Sequence, residues 1–276
     1  MPLKKGPMGF FSFIRKLRQI RAQKPNVPPG IGENRLASIL LNRRSVRKFL
    51  DRDILDHEMA LILEAARFAP SSVNMQTWSF GVYNTKTWRE TFGRTIPYGA
   101  RRAVLVLGDI TRIRQATDIF PNSPLVEYTV SVINASLAAM NMTIMAQALG
   151  VASVMLSDTG KTGFFSAAYL KERLMLPAGV YPLMTVVFGY PKARNLPVPP
   201  KFKIDDITFC GTYRQTEAAT VREWFSLMEA GYKASNFFSS FQAKLSYYRK
   251  NLKQAEQELR EVVYGQVEKK PPTGRA

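Results

Sequence analysis

"YTVSVINASLAAMNMTIMAQALGVASVML", residues 128–156, runs for 29 residues without one charged side chain. A stretch of that length and composition raises a membrane-spanning reading. Asn134, Asn141 and Gln147 interrupt it, however, and the "ALG" at 148–150 closes a helix just before a strand begins. The stretch therefore predicts a helix buried on nearly every side, rich in alanine and serine so that neighbours approach closely, as at a subunit interface. Around it, "WSFGVY" (78–83), "AVLVLGD" (103–109), "ASVML" (152–156) and "PLMTVVFGY" (182–190) read as strands, several of them separated by helical pattern. A helix is expected from about Asn34 to Asn42, and a second from an N-cap at Asp56 to just before Pro70. These elements make an α+β or α/β organisation in one domain.

The 276 residues, 46% of them hydrophobic and 11% aromatic, suffice for a full core. Cys210 is the only cysteine and His57 the only histidine. That excludes a disulfide framework, a thiolate metal cluster held by one chain, and the histidine-dependent zinc sites and triads of most hydrolases. The formal net charge is +18, and half of it sits in the tails: residues 1–24 hold seven cations and no acid, and residues 265–276 hold three cations against Glu268. Within the first tail, Phe10, Phe13, Ile14, Leu17 and Ile20 recur at helical spacing between basic residues. Residues 8–24 thus predict either an amphipathic helix on an anionic membrane surface or an arm packed on the protein's own surface. The apolar part is too short and too interrupted for a signal peptide or a spanning helix. The expected location is therefore cytoplasmic, free or peripheral on the inner membrane face. No nucleic-acid-binding module is recognisable, so no nucleic acid is expected as a partner.

Two polar motifs carry chemistry. "RRSVRKFL" (43–50) sets four cations around one serine, and "APSSVNMQTW" (69–78) offers Ser71, Ser72, Asn74 and Gln76 on an irregular segment between a helix and a strand. Alone, the first reads as a solvated basic face and the second as turn chemistry. Together they suit a ligand with a phosphate and a heterocycle, because cations and a hydroxyl fit the one and an amide-rich loop the other.

These two motifs, the uncharged helix running into "ALGVASVML", and "LPAGVYPLMTVVFGYPKARN" followed by "PPKFKIDD" resemble, in order and spacing, the FMN-dependent nitroreductase superfamily. The resemblance covers roughly residues 34–207. It implies an α+β fold with a nitroreductase-like mixed sheet flanked by helices, an intertwined homodimer, and two FMN molecules in clefts at the subunit interface. It also implies residue roles. Arg43 and Ser45 match the positions that hold the FMN phosphate. Arg47 matches the position near flavin N1 and O2, where a cation favours the reduced ring. Pro70, Ser71, Ser72 and Asn74 match a loop that reaches FMN from the partner subunit, with Gln76 and Trp78 fixing that loop. Met155, Leu156, Ser157 and Asp158 match the segment whose backbone faces flavin N5 and O4, although glycine is common where Asp158 stands. Lys201 and Lys203 match a basic pair that closes over the phosphate, the second often arginine in the family, so the fork geometry is lost here. Arg94 is a further candidate cation for the pyrimidine edge.

No catalytic side chain and no metal are implied, because hydride from NADH or NADPH passes through flavin N5 to an electron-poor nitroaromatic, quinone or enone. Two other readings stand beside this one: a flavin-dependent reductive dehalogenase with the same cofactor site, and a basic membrane-surface binding protein that keeps the fold with FMN structural or lost. The expected domains are an arm and linker at 1–30, an FMN-binding domain at 31–210, a long helical extension at 211–264 and a basic tail at 265–276. From Leu227 to Val262 apolar residues alternate at spacings of four and three, which predicts a long helix, paired or singly amphipathic. Gly231, Phe237 and Phe238 argue against its continuity.

Overall fold

Strands buried on both faces read as unbroken apolar runs, and the chain has two such runs long enough to form the middle of a sheet. In a computed structural model, which describes residues 8–25, 27, 33–157, 164–193, 196–235 and 240–265, they do so. β1 (Trp78–Asn84), β2 (Arg102–Asp109), β3 (Ala152–Ser157) and β4 (Val180–Gly189) make a four-stranded sheet in the order β1-β2-β4-β3. All three pairings are antiparallel. The mixed character expected of the sheet is confined to an isolated parallel bridge between Ser45 and Ser153, beside β3. Pro182 lies inside the central strand β4, where it pairs with Leu107 at a register shift. A bulge is where a central strand tolerates a residue without an N–H.

The chain forms two compact units. The larger, Glu33–Arg194 with Asn251–Ala276, contains the sheet. Its helices are α2 (Arg35–Asn42), α3 (Asp56–Arg67), α4 (Thr85–Phe92), α5 (Thr111–Arg114), α6 (Pro124–Ala148) and α7 (Ala167–Arg173). α2 fills the span expected of it, and Asn34 caps it, its side chain accepting from the Ala37 amide at 2.9 Å. The cap of α3 is Leu55, one residue earlier than expected, because the Glu58 carboxylate accepts the Leu55 amide at 2.9 Å. Asp56 is left in the first helical turn, where it meets Arg102 at 2.7 Å.

Helix α6 crosses the sheet with Ala135, Ala138, Ala139, Met142 and Ala146 in the core beside Val104, Val106, Val186 and Phe188. It is long and apolar enough to cross a membrane, yet 44% of its apolar window is buried inside the protein. Within the single chain the burial is one-sided. Val126, Ile133, Leu137 and Met140 are exposed, and with half-buried Val130 and Ile144 they form a stripe at spacings of four and three. The chain covers one face of α6 and leaves the other open. The asparagines that interrupt the apolar run have structural partners: Asn134 bonds Ser72 and Thr77, and Asn141 donates to the Ala65 carbonyl at 3.0 Å.

The smaller unit is Met1–Gly32 with Asn195–Lys250. It contains α1 (Phe10–Ala22), α8 (Ile204–Ile207), α9 (Ala218–Ser235) and the start of α10 (Phe241–Tyr264). Ile20 packs with Leu227 and Ala230, flanked by Phe13 and Leu17, and Lys16 donates to Ser226. Packing on the protein's own surface therefore accounts for Phe13, Leu17 and Ile20. The heptad-like stripe is divided between two helices, α9 ending at Ser235 and α10 beginning at Phe241; Phe237 and Phe238 lie outside the described residues.

Candidate functional site

The motif at 43–50 follows α2 and runs beside the sheet. Val46 donates its amide to the Ser153 carbonyl at 3.0 Å, and Leu50 donates to the Tyr190 carbonyl at 2.8 Å. Val46 and Phe49 turn inward. A Cβ on Gly189 would stand 2.8 Å from the Phe49 ring, so only glycine lets β4 accept that ring. The polar residues of the motif then divide by role. Arg44 folds back on the end of α2, its Nη1 donating to the Leu41 and Arg43 carbonyls, both at 2.8 Å, which satisfies acceptors the helix leaves open. Burial, and then the neighbouring Arg43 charge, pull the Arg44 guanidinium below its ordinary value. Arg43, Ser45 and Arg47 have no side-chain hydrogen bond or ion pair among the described residues; Arg47 lies 6.0 Å from the Tyr98 ring centroid.

β3 is an edge strand, and its outer edge is where Ser45 bridges Ser153. Backbone groups alternate sides along an antiparallel strand, so Met155 and Ser157 face the same way as Ser153, while Leu156 faces its partner Thr185 on β4. Exposure rises along the strand, from buried Ser153 to exposed Ser157. Asp158 lies outside the described residues. Arg94 sits over the rings of Phe164 and Phe165 at 5.5 and 5.2 Å, so its guanidinium is engaged with an aromatic cluster.

The second motif forms a loop with three consecutive-region outliers. Val73, Asn74 and Gln76 have φ of 48°, 55° and 49°. A left-handed β-branched valine is costly, of the order of 1–3 kcal/mol, and persists only where surroundings over-determine it. Hydrogen bonds within the loop and from α6 supply those surroundings. Ser71 Oγ accepts the Gln76 amide at 3.0 Å, and Gln76 Nε2 reaches Asn74 at 3.4 Å. The Ser72 amide donates to Asn134 Oδ1 at 3.1 Å, and Asn134 Nδ2 donates to Thr77 Oγ1 at 2.9 Å. Ser72 is thus tied to α6. Val73 is left 88% exposed at the tip.

A clamp behind the loop escapes sequence reading. Arg112 on α5 donates to the Gln76 carbonyl at 3.2 Å, to the Trp78 carbonyl and to Ser79 Oγ at 2.9 Å, and its Nη1 is 3.4 Å from Asp109. Burial pushes the Asp109 carboxyl up, but hydrogen bonds from Ser79 and Thr111 and the Arg112 charge outweigh it and hold it below the usual value. In the smaller unit, Phe202 stacks on Trp224 at 4.8 Å and Trp224 donates to the Pro200 carbonyl at 3.2 Å, while the Lys201 amide donates to Gln23 at 3.2 Å. The middle residue of "KFK" is therefore an anchor, and the phosphate role of Lys201 and Lys203 rests on the resemblance alone.

A family model described as "Nitroreductase family" matches residues 40–190, more than half of the chain. The chain belongs to the nitroreductase family. An Archaeoglobus fulgidus relative provisionally named NADH dehydrogenase/NAD(P)H nitroreductase is 31% identical over 160 residues, covering 56% of this chain and 84% of its own length. The FMN reductase (NADPH) of Bacillus subtilis is 28% identical over 171 residues, 57% of this chain and 66% of that one. The solved NADPH:FMN oxidoreductase from Vibrio harveyi, complexed with NAD+, aligns at a TM-score of 0.63 over 82% of this chain and 98% of its own, with 19% identity, which establishes a shared fold. The nitroreductase match takes in both polar motifs, α6 and all four strands, and stops short of Lys201, Lys203 and α9.

Proposed function

We propose that this nitroreductase-family chain is an FMN-dependent oxidoreductase, drawing on NADH or NADPH and reducing an electron-poor nitroaromatic, quinone or enone. The observation that carries the reading is that Ser45 bridges the outer edge of β3 at Ser153 with Arg43 and Arg47 on either side of it in the chain, and that none of the three has a side-chain hydrogen bond or ion pair among the described residues. The donor set fits the cofactor. Arg43 and Ser45 offer a guanidinium and a hydroxyl for a phosphate, and Arg47 offers charge for a ring that takes up electrons. From Ser153 to Ser157 the strand advances about 13 Å, so the Ser45 end and the Leu156–Ser157 end suit opposite ends of one elongated ligand. FMN, when bound, supplies the acceptance and onward delivery of hydride.

The remaining work belongs to position. Asn134 and Arg112 hold Pro70, Ser71, Ser72 and Asn74 in a loop whose backbone would not adopt this form alone. The open stripe of α6 supports a homodimer, because a second copy supplies the apolar cover that one chain lacks. A cytoplasmic location belongs to the same reading. The reading is tested by following oxidation of NADH and of NADPH by the FMN-loaded protein against a quinone, a nitroaromatic and an enone. Acceptor-dependent turnover with parallel-line kinetics is expected, since donor and acceptor take turns on one ring; no turnover with any pair overturns it.

A further inference from the structure

α1 (Phe10–Ala22) has two faces that do different things. Phe13, Leu17 and Ile20 point to α9, where Leu227 and Ala230 cover them. At 3.6 residues per turn the opposite side carries Phe11, Arg15, Arg18 and Ala22 in one row, while Phe10 and Arg21 lie on the flank next to Leu17 and are nonetheless exposed. Phe10 and Phe11 are 71% and 88% exposed, their ring centroids 5.9 Å apart and edge to face. Arg15, Arg18 and Arg21 are exposed, as is Lys24 just past the helix, and residues 1–24 contain no acid. Packing on α9 explains the inner face and leaves this outer face without a partner among the described residues.

We propose that the outer face of α1 docks on an anionic phospholipid bilayer, with Phe10 and Phe11 entering the acyl boundary and Arg15, Arg18 and Arg21 meeting lipid phosphates. Charge complementarity selects the occupant. A second copy of the chain would bring like charges together. A nucleic acid would engage the arginines but gives no reason for two adjacent phenylalanines at the helix start, whereas interfacial helices combine an apolar wedge with a basic rim. The structure also reassigns the wedge: Leu17, whose spacing suggested lipid, is committed to α9, and Phe11, off that stripe, takes its place. The proposal does not rest on the flavin reading.

The test uses the full chain, its flavin content and NAD(P)H oxidation measured in parallel, with sedimentation on phosphatidylcholine vesicles with and without phosphatidylglycerol. Binding to anionic vesicles only, weakened by salt, is expected. Arg15→Gln with Arg18→Gln and Arg21→Gln should weaken it on the order of 100-fold, at about tenfold per 1.4 kcal/mol and roughly 1 kcal/mol per basic residue. Phe10→Ser with Phe11→Ser should weaken it by about tenfold or more, while leaving flavin and turnover unchanged because both rings lie in solvent. Equal binding of the phenylalanine variant and wild type, equal binding to neutral vesicles, or tighter binding to RNA than to anionic vesicles overturns the proposal. So does an oligomer that dissociates when Phe10 and Phe11 are replaced while vesicles fail to bind.

Discussion

Arg43 and Arg44 are neighbours of identical chemistry with separate duties. Arg44 is spent on the carbonyls that end α2, and Arg43 keeps its guanidinium for something other than the chain. Arg43→Ala should therefore weaken FMN binding by about 1.5–3 kcal/mol, the range of a charge-assisted hydrogen bond, with melting of the apoprotein unchanged. Arg44→Ala should do the reverse, costing about 1 kcal/mol of stability with little effect on FMN. Flavin fluorescence titration and thermal melts of both variants separate the roles. Asp109 makes a second residue-scale prediction. Its carboxyl is held below its ordinary value, so its contribution to stability is complete at neutral pH and is lost as pH falls from about 4 through the lower folded value. Asp109→Asn should remove that part of the acid dependence, and with it the rigidity of the loop that Arg112 clamps. Denaturation midpoints of the two proteins across that window check it; parallel acid profiles would contradict it.

At the scale of elements, α6 decides the assembly. A glutamate at Ile133 or Leu137 would charge the open stripe without entering the core. Ile133→Glu with Leu137→Glu should give a monomer by light scattering that folds yet has lost FMN, while a variant that remains a dimer would place the interface elsewhere. The elements also show what the sequence made legible. The four strands were readable within two residues because β2 and β4, buried on both faces, leave unbroken apolar runs. The open stripe of α6 was not, since an apolar residue looks the same whether its own chain or another covers it. The stripe running from Leu227 to Val262 suggested one helix while Phe237 and Phe238 argued against its continuity, and the chain does divide there, α9 ending at Ser235 and α10 beginning at Phe241; the packing of α9 on α1 is a contact between distant segments that spacing cannot report. Arg43, Ser45 and Asn74 stand out as candidates through their motifs. Arg112 was not: it grips the main-chain carbonyls of Gln76 and Trp78, and a side chain that binds backbone leaves no pattern in its partners.

For the whole molecule, the account requires a flavin held where two subunits meet. Arg43 and the Ser71–Asn74 loop are assigned by the resemblance to sites completed by different chains, so Arg43→Ala protein mixed with protein carrying Ser71→Ala and Asn74→Ala should recover about one intact site per exchanged heterodimer. No recovery after confirmed exchange would mean that each chain builds its own site. The measurement that bears most directly on the central claim is the absorption spectrum of the purified full chain, taken after equilibration with FMN and again after anaerobic addition of NADH or NADPH. The account predicts a yellow protein that retains stoichiometric FMN through gel filtration and whose flavin bands bleach with either or both donors and return with a quinone. A colourless protein that releases all FMN on the column, or bound flavin that neither donor bleaches, would contradict it.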